Sequence, residues 1–153
     1  MALEATENAE LSPEEAVIYA MVVTAASDGD MNRCEMRTIG RVVRSFSLFA
    51  DFDEEDLVEI AENCGGLMAQ DDGLRKVLDA VKRALPPHLY ETAYAAAVDV
   101  ATADETLNLP ELRVMDLMRE TLEISDEGAQ SIERAARARH MTLDPDTPAT
   151  PDC

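Results

Sequence analysis

An all-α fold of about seven helices is what this sequence predicts, on three observations. No segment alternates apolar and polar residues between turn signals, as a half-buried strand would. Several segments open with helix-capping chemistry and continue with apolar residues at helical spacing. One short motif occurs twice, 76 positions apart: Ala20 to Arg37 and Ala96 to Arg113. Seven positions match without a gap, namely Ala20/Ala96, Val22/Val98, Ala25/Ala101, Asp28/Asp104, Asn32/Asn108, Glu35/Glu111 and Arg37/Arg113. Ordinary composition would give about one match in such a window. The repeat predicts two helix–turn–helix units in one compact bundle, related by a pseudo-twofold axis.

The first helix is predicted from Pro13 to about Ser27, with Ser12 as N-cap, Pro at the first helical position and Glu15 completing the cap. Val17, Ile18, Met21, Val22 and Val23 make it apolar nearly all round, so it belongs in the centre. Asp28-Gly29-Asp30 breaks it. A second helix follows Asn32 to about Phe46, with Met36, Ile39, Val42, Val43 and Phe46 on its core face. Phe49 to Asp53 is a turn. Asp53 caps a third helix from Glu54 to about Asn63, which Gly65-Gly66 should end. A fourth spans about Leu67 to Leu85, with a break at Asp72-Gly73. Pro86-Pro87 opens the fifth, His88 to Ala103, apolar in its middle except for Asp99, which is read as lying on a solvent-facing seam. The sixth runs from Leu109 to Glu123, and Ser125 caps the seventh, Asp126 to about His140. Residues 1–11 read as a flexible acidic N-terminus, 12–141 as the helical domain, and 142–153, rich in proline, as a disordered tail.

Bulk composition narrows the function. A chain of 153 residues is one domain's length and buries about 68–70% of its unfolded surface. Its net charge of −19 argues against nucleic acid and against an anionic membrane surface, and favours cations or a basic protein partner. Cys34, Cys64 and Cys153 form no CxxC motif and no even framework, which predicts reduced thiols and a cytoplasmic protein. His88 and His140 do not complete a zinc site with them. The acidic N-terminus lacks a signal-peptide pattern, and the apolar run Ala16 to Ala26 is too short to cross a bilayer. No phosphate loop, nucleotide fingerprint or Ser–His–Asp grouping is present, so no enzymatic activity is expected.

Much of the motif is helix-starting chemistry. Asn32 with Glu35, and Asn108 with Glu111, read as capping boxes; Met31 with Met36, and Leu107 with Leu112, read as hydrophobic staples. Arg33, Arg37, Arg41 and Arg44 form a basic stripe, expected to pair with the acids of Asp51 to Glu62 or of the N-terminus. Asp28 and Asp104 are different. Each ends an apolar helix, where the helix dipole disfavours a negative charge by about 0.3–1 kcal/mol. Two readings stand. Each carboxylate accepts amides of its own turn, or a cation is held by Asp28, Asp30 and Glu35, by Asp104 and Glu111, or by both sets. The first turn starts like an EF-hand loop, but Arg33 and Ile39 occupy the positions that need Gly and Glu. Any ion here would be hard and oxygen-bound: Ca, Mg or Mn.

Two apolar helices, each ending Ala-x-x-Asp and followed seven residues on by Glu at a helix start, resemble the tellurite-resistance TerB family over about residues 12–140. The resemblance implies an all-helical fold with an acidic surface, a soluble protein tied to tellurite or chemical-stress resistance, divalent-metal binding, and protein partners near the inner membrane; it does not imply a known catalytic reaction. Carried over by position, the family's acidic residues are Asp28, Glu35, Asp104 and Glu111. The second copy departs from the pattern, with Glu105 in place of Gly and Thr106 in place of an acid. The competing reading is a metal-free acidic module that docks a basic partner.

Overall fold

In the computed structural model, residues 10–26, 31–103 and 109–144 are described. They form seven α-helices: α1 (Pro13–Ala25), α2 (Arg33–Ser45), α3 (Leu57–Met68), α4 (Gly73–Ala84), α5 (Tyr90–Ala103), α6 (Leu109–Thr121) and α7 (Asp126–Arg139). Short 3₁₀ turns at Ser47–Phe49, Glu54–Asp56 and Pro87–Leu89 join them. No strand occurs among the described residues. The predicted N-terminal segment 1–11 and tail 142–153 lie mostly outside those residues.

The start of α1 follows its sequence signal. The Glu15 amide donates to Ser12 Oγ at 3.1 Å, and the Ser12 amide donates to Glu15 Oε1 at 2.9 Å. Every residue from Ala16 to Ala25 is then buried. A helix with no solvent face must be enclosed, and α1 packs against α2, α3, α4, α5 and α6. Its most extensive contact is with α5, whose own run from Ala96 to Ala101 is buried. α2 and α6 are both 13 residues long, and their bounds are offset by the same 76 positions as the motif copies. α2 lies on α5 and α6 on α1, so each second helix reaches the first helix of the other unit.

Two boundaries differ from expectation. Gly65 and Gly66 do not end the third helix, which continues to Met68. A glycine costs a helix about 1 kcal/mol relative to alanine, but Leu57, Ile60, Ala61 and Cys64 anchor the buried face just before the glycines, over about two turns. The chain turns instead at Asp72, in the left-handed region at φ 57°. The third helix also begins later: Asp53 Oδ1 caps the Glu55 amide of the 3₁₀ turn, and the α-helix starts at Leu57.

The three phenylalanines pack at the core. Phe49 is buried, Phe46 and Phe52 are partly buried against it, and the rings of Phe49 and Phe52 stand edge to face at 5.5 Å.

Candidate functional site

Of the five acids singled out by the sequence, Asp28, Asp30 and Asp104 lie outside the described residues. Glu35 and Glu111 are described, and each is the third residue of its helix. Glu35 performs the capping role: its Oε2 accepts the Asn32 amide at 3.0 Å, while Asn32 Oδ1 accepts the Glu35 amide at 2.9 Å. The partner of the second cap, Asn108, lies outside the described residues. Glu111 is only 5% exposed. A carboxylate removed from water needs positive potential to stay charged, and the first turn of a helix supplies part of it. Among the described residues, no three His, Cys, Asp or Glu side chains converge as a metal site would require. The donor types at the turns, carboxylates throughout, suit a hard cation.

The other buried acid is Asp99. The solvent-facing seam expected for it is corrected by its 5% exposure. Asp99 Oδ1 accepts Arg139 Nη2 at 2.6 Å and lies 3.4 Å from His140 Nε2. The last turn of α7 therefore brings its basic residues onto the flank of α5. The signal for something unusual was in the sequence, since Val23 occupies the matching place in the first copy. The partners, 40 residues on, were not legible there.

A second α5–α7 link was not anticipated. Tyr94, 1% exposed, donates its hydroxyl to Glu133 Oε2 at 2.7 Å. Burial, then the hydrogen bond to Glu133, pushes its phenol well above the ordinary range. Elsewhere in the core, burial pushes the Cys64 thiol up to about 12 and, with help from Cys64 and Glu15, the Tyr19 phenol to about 12. Cys64 is free, but Cys34, beside Glu35, is disulfide-bonded, which corrects the expectation of three reduced thiols. Sequence spacing does not report which sulfurs meet in space. The basic stripe pairs as expected at Arg44, whose Nη1 sits 2.8 Å from Glu54 Oε1.

The sequence pattern of the family described as tellurite resistance protein TerB matches residues 14–134 of this chain. The chain belongs to the TerB family. The match spans α1 to α6 and most of α7, and includes both copies of the acidic motif. Arg139 and His140, which meet Asp99, fall just beyond it. No curated protein and no solved structure matches the chain. Among the described residues, no helix of this TerB protein is long and apolar enough to cross a membrane.

Proposed function

We propose that this TerB-family protein is a non-enzymatic component of tellurite and chemical-stress resistance that holds a divalent cation at its acidic inter-helix turns. Asp28, Asp30 and Glu35 would supply one set of oxygens, and Asp104 and Glu111 the other. Loading the ion would neutralise charge at the ends of α1 and α5 and make the protein a sensing or scaffold module for protein partners, in the cytoplasm and near the inner membrane. The observation that carries this reading is Glu111. It is buried at the head of α6, immediately after the second acidic turn, in a chain of net charge −19. Such a position favours a cation nearby.

Titration calorimetry at moderate salt tests it, because general counterion effects are screened there. Saturable heat with Ca, Mg or Mn in the wild type, lost in Asp28→Asn/Asp104→Asn, is expected. Equal weak heats for both proteins would refute it.

A specific observation favours a second reading, the metal-free acidic module. Asp51, Asp53, Glu54, Glu55, Asp56, Glu59 and Glu62 are all exposed along one stretch. A basic partner docked there would dissociate steeply as ionic strength rises, and salt-insensitive association would exclude this surface.

A further inference from the structure

A cavity of about 490 Å³ opens between α5, α6 and α7, within the roughly 300–1,000 Å³ of small-molecule sites. The α5 and α6 positions that line it can be compared with those 76 residues earlier in α1 and α2. Four pairs stay apolar: Val22 and Val98, Ala25 and Ala101, Met36 and Leu112, Ile39 and Met115. Four exchange a residue with no polar side chain for a polar one: Ile18 becomes Tyr94, Ala26 becomes Thr102, Gly40 becomes Asp116, and Val43 becomes Arg119. In the first copy six of these eight positions are buried, and Ala26 and Met36 are partly buried. In the second, the same helical face borders a hollow, and α7 adds Glu133 and Arg137 to its wall. Val98, Ala101 and Met115 form its apolar floor, and Leu112, 45% exposed, stands at the margin.

The wall is held in place by its own contacts. Tyr94 is bonded to Glu133, and Arg119 Nη2 is bonded to Asp126 Oδ1 at 2.9 Å. Two other charged wall residues, Arg137 and Asp116, are exposed and have no hydrogen bond or ion pair to other described residues. A simple anionic amphiphile would have to enter against a net charge of −19. A zwitterion would not, and it would answer both groups.

We propose that this cavity binds a small aliphatic zwitterion of the α-amino-acid type. Its chain lies on Val98, Ala101 and Met115, its carboxylate faces Arg137 and its ammonium faces Asp116. The proposal is independent of the cation reading.

Amide chemical-shift titrations with α-aminodecanoate, decanoate and decylammonium test it. Saturable shifts confined to α5, α6 and α7 are expected with α-aminodecanoate, and weaker binding with the two single-charge analogues. Arg137→Gln and Asp116→Asn, both at exposed positions, should each weaken binding about three- to fivefold, the effect of one exposed ion pair. Thr102→Trp, which fills the cavity, should abolish it. Asp28→Asn/Asp104→Asn should leave it unchanged, which separates failure here from failure of the cation reading. Absence of saturable shifts, equal binding of the three probes, or wild-type affinity in Arg137→Gln and Asp116→Asn would overturn the proposal.

Discussion

Removing Arg139 should harm this protein more than removing the acid it serves. Asp99 is 5% exposed, and its Oδ1 lies 2.6 Å from Arg139 Nη2, whose side chain is 50% exposed. Losing one partner of a fully buried pair costs about 3–5 kcal/mol, and a fully exposed pair is worth about 0–1. With one partner buried and the other half in water, Arg139→Ala should cost about 2 kcal/mol, the range of a hydrogen bond to a charged group. His140, 3.4 Å away, softens the loss without replacing the contact. Asp99→Val removes the pair and the buried charge together, and Val23 shows a valine fully buried at the matching place. It should therefore cost less, about 1 kcal/mol or under. Urea unfolding followed by circular dichroism at neutral pH gives both values. For a domain of this size, about 2 kcal/mol corresponds to a fall of roughly 4–8 °C in Tm. If Asp99→Val proves as damaging as Arg139→Ala, the charge-burial argument is refuted, and the contact matters for shape alone.

Gly73→Ala should destabilise by about 3 kcal/mol or more in the same assay, because its Cβ would fall 2.1 Å from the Met68 carbonyl oxygen, and backbone cannot yield as a side-chain tip can. Gly65→Ala, with open space around the new methyl, should instead gain up to about 1 kcal/mol; a loss there would contradict the helical placement of Gly65. Asn32→Ala should cost about 0.5–2 kcal/mol as a lost N-cap yet leave cation titration unaltered, whereas lost titration would make Asn32 part of the site rather than of the cap. Stability should fall in alkali. Burial holds Cys64 and Tyr19 protonated in the folded state up to about 12, above their ordinary 9.0 and 10.0, so the unfolded chain binds fewer protons in that window and the contribution is lost as pH rises through it. Cys64→Ala should remove the part of the loss that begins near pH 9.0, and an unchanged alkaline profile would show that the thiol does not contribute.

Legibility in the sequence followed the range of the interactions involved. Helix starts were readable because their chemistry is local: Ser12 with Glu15 and Asn32 with Glu35 lie three residues apart, and the amides each acid or hydroxyl must reach are fixed by helix geometry. The central place of α1 was readable because a helix apolar all round has no stable alternative to enclosure. Gly65-Gly66 misled because local propensity was weighed without the buried face that overrides it. Asp99 misled because its stabilising partners arrive from another helix, and nothing in α5 announces them.

By itself, then, the sequence determined the all-helical class, the caps, the buried helices α1 and α5, and the family to which the doubled acidic motif belongs. The tertiary structure decided what each polar residue on those helices is for. Glu35 serves its own cap, Glu111 is drawn into the interior, Asp99 meets the end of α7, and Tyr94 meets Glu133 across a cavity that its counterpart Ile18 does not border. Propensity and periodicity act within a few residues along the chain. Burial and charge pairing are set by whichever helix packs alongside, and that neighbour is chosen only when the whole core closes.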